Sequence, residues 1–288
     1  MTRSMCVLAA ASAVAAMAAG ASGADTRDVG PWMARVGARV EAYFARAQSI
    51  VCEETVRIEP LGVDLLPNGA HIRTLVYELR VEWGAADADD AVPDATVLRR
   101  LLTVNGRAPR PSDEPGCFDR EPISPEPLAM FLPSHQPDYV FTWRGDGHEG
   151  GRASVTLEYR TAHPRPPKVV PKGDCAKIEL PVRGRVWLDA STADVLRVDE
   201  QLAGQYDIPT PRTWRERMPA SSSVFTVERA DSSTSYRPIT FHDPEETVVL
   251  PSSIVSVQVM RNAGTPRLRT YQTFSKYRRF ITDARVVQ

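Results

Sequence analysis

The strongest indication of the fold is residues 184–200, which read GRVWLDASTADVLRVDE. The first part is bulky and apolar, and the second alternates apolar with charged side chains from Leu196 to Asp199. A short polar segment lies between them. This pattern of period two around a turn predicts a β-hairpin. Two antiparallel strands are only marginally stable by themselves, so further strands must flank this hairpin.

The first 24 residues have the composition of a secretory signal peptide. They contain one arginine, a run dominated by Ala, Val, Leu and Met, and the small-residue end Ser22-Gly23-Ala24. A membrane anchor, the alternative, would need a longer uninterrupted apolar span. We therefore predict an exported protein, periplasmic or extracellular, whose mature chain begins at Asp25 and has no transmembrane span.

The remaining 264 residues (288 minus 24) have an ordinary globular composition. The whole chain is 42% hydrophobic and 25% charged, which argues against disorder and fibrous repeats. Removing Arg3 with the leader changes the formal charge from −1 to −2. That balance gives no indication of a nucleic-acid partner. We predict a single β-rich domain over residues 25–288.

Residues 31–50 carry the best helical pattern in the chain. Pro31 suits the first turn of a helix, and apolar side chains recur at spacings of three and four: Trp32, Val36, Val40, Tyr43, Phe44 and Ala47. An amphipathic helix can also lie on a membrane surface, but its polar face here is not uniformly basic. Packing of this helix against the sheet is the favoured interpretation.

Most of the other segments read as strands. Residues 72–83 alternate well and place five apolar side chains on one face: Leu75, Tyr77, Leu79, Val81 and Trp83. Residues 97–104 lead into Asn105-Gly106, a strong type I′ turn signal. Further strands are predicted over residues 51–58, 138–144, 153–160, 176–182, 223–229, 234–242, 247–261 and 267–277, with a polar loop over residues 205–221. The last of these strands also fits a helical period, and we choose a strand because its neighbours are antiparallel strands.

A proline-rich segment, residues 108–137, interrupts this spacing. It is long for a connection inside a compact domain, which is typical of a lid, an insertion or an interaction segment. Within it, residues 127–132 are apolar and long enough for one or two helical turns. We expect this short helix to plug the sheet, as a core-filling element or as the lip of a binding site.

These features together resemble the periplasmic lipoprotein-carrier superfamily of the LolA and LolB type. The motifs are a signal peptide, an amphipathic helix, an Asn-Gly turn and the hairpin pattern Val-Trp-Leu-Asp-x-x-Thr-x-x-Val-Leu-Arg from Val186 to Arg197. Residues 274–280, FSKYRRF, are also similar to a recurring ending of secreted bacterial proteins with that architecture. The resemblance implies a mainly β fold, in which an antiparallel sheet curves into an open half-barrel and helices cover a face that holds acyl chains. The chain differs from the carriers in its proline-rich insertion and in its three mature cysteines.

No catalytic or metal-binding motif is present in the sequence. The five histidines lie far apart, and there is no Cys-x-x-Cys, Gly-x-Ser-x-Gly, phosphate loop or dinucleotide fingerprint. Glu53 and Glu54 are adjacent in a strand, so their side chains face opposite ways and cannot act as a pair. We therefore predict no metal, no cofactor and no enzymatic activity.

Two classes of function remain. The first is a non-catalytic extracytoplasmic carrier or binding protein for a lipid or another apolar ligand. The second is an envelope protein that binds another protein, has a filled core and takes no small ligand. Under the first hypothesis, an apolar cavity lies beneath the N-terminal helix and the short helix, lined by Phe44, Leu75, Tyr77, Leu79, Val81, Trp83, Leu128, Phe131 and Trp187. A fully packed core is the competing expectation.

The mature chain has three cysteines, an odd number for an oxidising compartment. Cys52 lies at the apolar start of a strand and is predicted to be buried. Cys117 and Cys175 lie beside Gly, Pro and Asp in predicted loops, and we expect them to pair. In the chain-entropy model, closing a loop of that size stabilises by roughly 4 kcal/mol.

Overall fold

A computed structural model of the chain describes residues 27–47, 50–70, 72–83, 95–113, 127–172, 175–212, 222–242, 245–264 and 267–279. The predicted leader and Cys117 lie outside these ranges. The α-helix α1 covers Gly30–Ala47, and a 3-10 helix covers Pro127–Phe131; we call the latter the plug helix. The strands are β1 Ile50–Leu61, β2 Arg73–Trp83, β3 Ala95–Val104, β4 Tyr139–Glu149, β5 Arg152–Thr161, β6 Lys168–Lys172, β7 Cys175–Glu179, β8 Val182–Asp189, β9 Val195–Leu202, β10 Tyr206–Pro209, β11 Val224–His242, β12 Glu245–Arg261 and β13 Arg267–Arg279.

The strands form one large antiparallel sheet and a separate two-stranded ribbon. The order in the large sheet is β3-β2-β1-β13-β12-β11-β9-β8-β5-β4, with β10 added beside β11, and β6 pairs with β7 in the ribbon. The two edge strands do not pair with each other, so the sheet is not closed into a barrel. The predicted fold class, a mainly β chain with an open antiparallel sheet, is confirmed.

The predicted hairpin is β8 and β9, which pair from Val182 opposite Leu202 to Leu188 opposite Val195. The Asp189 side chain organises the turn, because its Oδ1 accepts hydrogen bonds from the backbone N–H groups of Ser191 and Thr192, both at 2.9 Å. Burial alone would raise the pKa of this carboxyl, but the hydrogen bonds and nearby Arg152 lower it to about 2. The turn is therefore held by an ionised aspartate.

The proline-rich segment leads from one edge of the sheet to the other. β3 and β4 are the edge strands although they are consecutive in the chain. The Asn105-Gly106 turn has positive φ at both residues, 48° and 78°, as predicted. However, only a single bridge, between Val104 and Arg107, pairs back among the described residues up to 113. Prolines at 109 and 111 cannot donate ladder hydrogen bonds. The chain then reaches β4 by way of the plug helix.

The sheet has two different faces. Directly opposed residues share a face in an antiparallel ladder, and one continuous row crosses eight strands: Leu157, Val186, Val198, Thr234, Ile254, Gln272, Val56 and Leu75. α1 and the plug helix pack on this side. We call it the helix-covered face, and we call the opposite side the open face.

Several predicted boundaries were wrong. Ile50 begins β1 and does not end the helix, because it pairs opposite Arg279 of β13, a partner that local periodicity cannot reveal. The predicted strand over residues 176–182 is two strands, and its first part pairs with β6, which was not predicted. The two strands predicted over residues 223–242 are the single long strand β11.

The predicted loop over residues 205–221 begins with a strand. β10 pairs with β11, and Ile208 is 1% exposed against Phe225 and Val227. Two apolar positions are too few to show alternation, so the pairing with β11 decides this strand. The start of the helix and the C-terminal strand agree better with expectation, since α1 begins at Gly30 and carries the predicted stripe, and β13 is a strand.

Candidate functional site

The helix-covered face carries the first candidate site, which we call the lid interface. It consists of α1 and the plug helix packed over the apolar part of β5, β8 and β9. From the helices, the buried side chains are Met33, Val36, Val40, Tyr43, Phe44, Leu128, Met130 and Phe131; from these strands, they are Val155, Leu157, Tyr159, Val186, Leu188, Val195 and Val198. Phe131 is completely buried and contacts the ring of Phe141, with centroids 5.8 Å apart.

A glycine allows the two helices to approach closely. A Cβ added at Gly37 would lie 3.0 Å from Gln136 Nε2 and 3.1 Å from the Phe131 carbonyl oxygen. Gln136 Nε2 itself donates to the carbonyl oxygens of Phe131 and Met33, at 2.7 and 3.0 Å. This amide therefore joins the plug helix to α1.

Polar contacts attach α1 to the hairpin turn. Arg39 Nε donates to Asp194 Oδ1 at 2.7 Å, and Arg35 Nη2 donates to the Ser191 carbonyl oxygen at 2.6 Å. In the described part of the chain, the plug helix makes no hydrogen bond to a strand of the large sheet. The plug helix is thus held to the sheet by apolar contacts and to α1 by an amide.

Little space is left between the helices and the sheet at one end of this interface. A pocket of about 40 Å³ is lined by residues of α1, the plug helix, β9, β11 and β12, among them Val40, Tyr43, Leu128 and Tyr236. This volume exceeds that of one water molecule only slightly. An acyl chain would need movement of the plug helix to enter here.

The predicted cavity residues fall in several places. Phe44, Leu128 and Phe131 lie together in the lid interface. Leu75 and Tyr77 lie on the same face but in a separate cluster with Val56 and Val104. Leu79 belongs to a further cluster with Cys52, Ile254 and Phe274. Val81 and Trp83 continue β2, and their side chains lie outside the described part of the structure.

Trp187 does not belong to the helix-covered face. It alternates with the buried Val186 and Leu188, so its ring lies on the open face, where the Arg197 guanidinium stacks 4.9 Å from the ring centroid. The expectation of one apolar face that includes Trp187 is therefore corrected by strand alternation.

The open face carries a second candidate site, which we call the open-face trough. It is a groove of about 900 Å³ that crosses β4, β5, β8, β9, β11 and β12. On β4 the lining residues alternate along the strand. On the other five strands the groove also touches the residue between two open-face positions: Tyr159, Gly184, Glu200, Ser232 and Ser256. The lining residues of the open face are Val140, Thr142, Arg144, Glu158, Arg160, Arg183, Arg185, Asp199, Gln201, Asp231, Ser233, Val255 and Val257.

Beneath the trough, a tyrosine covers a glycine on the helix-covered face. Tyr159 lies directly opposite Gly184, and a Cβ added at Gly184 would lie 2.7 Å from the tyrosine ring. The Tyr159 hydroxyl can donate to the Asp199 carbonyl oxygen or to Glu200 Oε2, both at 3.3 Å. Burial raises the pKa of Glu200, which the hydrogen bond from Tyr159 opposes.

Sequence reasoning missed the trough. The alternation of Arg183, Gly184 and Arg185 does indicate a charged strand face, and it was the available signal. The position of Arg160 directly opposite Arg183 depends on β5 pairing with β8 across the intervening ribbon, and no local pattern specifies that pairing. A groove formed by six strands is a property of the whole sheet.

Of the three cysteines in the predicted mature chain, only Cys52 has a described side chain. Cys52 is buried, at 3% exposure, as predicted. Cys175 begins β7, but its side chain and all of Cys117 lie outside the described residues, so their pairing stays a prediction. Within the described ranges, no group of three or more His, Cys, Asp or Glu side chains is placed to hold a metal ion. None of the described helices is long and apolar enough to cross a bilayer.

No protein-family model and no curated protein matches the sequence. Among solved structures, the chain is similar to a DUF1329 family protein from Desulfovibrio piger, with 11% identity and a TM-score of 0.41 over 90% of this chain and 95% of that one. A LolA superfamily protein from Nitrosomonas europaea has 8% identity and a TM-score of 0.38 over 89% and 97%. A putative outer membrane lipoprotein-sorting protein domain from Vibrio parahaemolyticus has 9% identity and a TM-score of 0.37 over 89% and 95%.

The sequence pattern predicted a likeness to the LolA superfamily, and a member of that superfamily is among these structures.

Proposed function

We propose that this chain is an exported, non-catalytic binding protein that takes up an apolar chain at the lid interface. The observation that carries the proposal is the attachment of the plug helix. It covers an apolar sheet face without a described hydrogen bond to any strand of the large sheet. A segment held in this way can leave the sheet without breaking a strand pair.

An acyl chain is a suitable replacement for the plug helix. Burial stabilises by about 0.8 kcal/mol per methylene, so a long acyl chain recovers much of the apolar contact that is lost when Leu128, Met130 and Phe131 move away. α1 stays attached meanwhile, because Arg35 and Arg39 hold it to the hairpin turn. The pocket of about 40 Å³ beside Leu128 is a gap between the helices and the sheet, where an acyl chain could begin to enter.

The experiment is a titration of purified, delipidated protein with a fluorescent fatty acid. Leu128→Ala enlarges the pocket and weakens the attachment of the plug helix, so we expect it to bind the probe several-fold more tightly than the wild type. The matched control is Leu202→Ala, which removes the same atoms from a separate buried cluster near the ribbon. Its affinity should equal that of the wild type, with both variants checked for folding by circular dichroism.

A second candidate function is supported by the small size of that pocket. If the lid interface is a permanent core, the protein is a protein-binding module of the envelope with no small ligand. The same titration separates the two proposals. Absence of saturable binding by both the wild type and folded Leu128→Ala would remove the carrier proposal and leave the interaction module.

A further inference from the structure

Two exposed arginines lie side by side on neighbouring strands of the open-face trough. Arg160 of β5 is directly opposite Arg183 of β8, and both side chains are exposed. Like charges placed directly opposite in a sheet destabilise it. No carboxylate among the described residues lies within ion-pair distance of either guanidinium. The pair is an unfavourable arrangement that a bound anion would relieve.

The carboxylates of this surface are already paired with other arginines. Glu158 accepts from Arg144 and from Arg185, the latter at 3.2 Å. Asp199 accepts from Arg197, and Asp231 accepts from Arg229. In each pair the arginine lies two residues before the carboxylate on the same strand. The hydrogen bond from Arg144 helps to lower the pKa of Glu158, so this carboxyl is ionised at neutral pH. Arg197 also lies 3.9 Å from Glu149. Six arginines therefore meet four carboxylates, and the surplus of two corresponds to Arg160 and Arg183.

The walls of the trough are suited to a polar molecule. Beside the arginine pair, its open-face lining offers the hydroxyl groups of Thr142 and Ser233 and the amide of Gln201, and the valines lie on β4 and β12, toward its ends. A volume of about 900 Å³ is within the range of small-molecule sites. The described lining offers no exposed aromatic ring or large apolar patch that would enter a bilayer. The ligand that fits is a small, soluble, hydroxyl-bearing anion.

Two guanidinium groups favour a dianion over a single carboxylate. A phosphate monoester carries a charge of about −1.5 to −2 at pH 7 and three acceptor oxygens, and arginine donors match this geometry in pairs. We infer that the open-face trough is a binding site for a soluble phosphate monoester, with Arg160 and Arg183 holding the phosphate. This site lies on the face opposite the lid interface and does not depend on the function proposed above.

The test is isothermal titration calorimetry of the full mature chain at low ionic strength, with glycerol 3-phosphate and with inorganic phosphate as probes. We expect saturable binding that weakens at least tenfold in Arg160→Gln and in Arg183→Gln. The matched control is Arg237→Gln, which removes an exposed arginine from β11 outside the trough lining and should leave the affinity unchanged. Binding should also weaken several-fold between pH 7.5 and pH 5, because the second phosphate pKa is about 6.

Three results would overturn the inference. The first is no heat of binding for either probe at low salt. The second is an equal loss of affinity in Arg237→Gln, which would show a response to net charge alone. The third is binding only to vesicles that contain phosphatidic acid, with none to glycerol 3-phosphate, which would identify a membrane surface as the partner. Because Arg160 and Arg183 are exposed, their variants are expected to fold, and melting temperatures no lower than that of the wild type confirm this.

Discussion

The two faces of β5, β8 and β9 differ although the same strands make both. On one face these strands place Leu157, Val186 and Val198 beneath the helices; on the other they place Glu158, Arg185 and Asp199 along the trough. The first row is completely buried or nearly so, and the second row consists of charges at the surface. Because side chains alternate along a strand, each of these buried apolar residues is next to a charged residue on the opposite face. Substitutions on the helix-covered face should change stability, whereas those on the open face should change binding and electrostatics.

The largest difference between the faces is expected for large aromatic side chains. Phe131→Ala removes a completely buried ring from the lid interface and should lower the free energy of unfolding by about 3–5 kcal/mol. Trp187→Ala removes a larger ring from the open face, where it is half-buried against Arg197, and should cost less. Urea denaturation measures both. An equal loss in the two variants would contradict the distinction between the faces.

An intermediate effect on stability is expected from the turn that joins β8 and β9. The pKa of Asp189 is lowered from 3.8 to about 2, so its ionised form stabilises the folded state above pH 4. That contribution disappears as the pH falls from about 4 through about 2, and it amounts to roughly 2 kcal/mol at most.

Asp189→Asn keeps an acceptor for the backbone of Ser191 and Thr192 but removes the charge. The free energy of unfolding of this variant should therefore decrease less than that of the wild type between pH 5 and pH 2. Denaturant titrations at four or five pH values give the difference. Parallel curves for the two proteins would show that Asp189 does not carry this dependence.

The smallest effect, and the one with the opposite sign, is expected on the open face. Arg183→Gln removes one of two opposed charges and should raise the stability by less than about 1 kcal/mol. Arg185→Gln, two residues away on the same face of β8, removes a partner of Glu158 and should not raise it. Thermal unfolding at low and at high salt compares them, since screening should abolish the gain in Arg183→Gln. A loss of stability in Arg183→Gln would mean that its charge is already compensated.

The sequence predicted the elements whose signals are local. The hairpin at residues 184–200, the apolar stripe of α1 and the plug helix are all visible as periodicity or composition, and the structure confirms them. β10 and β6 were missed, because they are short and depend on partners elsewhere in the chain. Trp187 was assigned to the wrong face for a different reason: its identity as an apolar residue suggested the core, whereas its position next to Val186 places it on the open face.

The candidate sites follow the same division. The lid interface was predictable in part, since Phe44, Leu128 and Phe131 belong to segments with recognisable apolar patterns. The trough was not predictable, because the Arg160–Arg183 pair requires the register between β5 and β8, which are separated by the ribbon. The separation of Leu75 and Leu79 from the lid interface also depends on how far the sheet extends beyond α1.

β13 comes late in the sequence but lies inside the sheet, so the sheet is complete only after β13 has been made. β13 lies between β1 and β12, so the central pairing joins Ile50 to Arg279, residues from opposite ends of the described chain. Closing so long a loop is entropically costly and slow compared with forming hairpins such as β8–β9. A polypeptide that is still being synthesised holds β1, β2 and β3 without the strand that joins them to the rest of the sheet. The sheet is thus incomplete until β13 arrives, and removing β13 removes a strand from within the sheet instead of one at its edge.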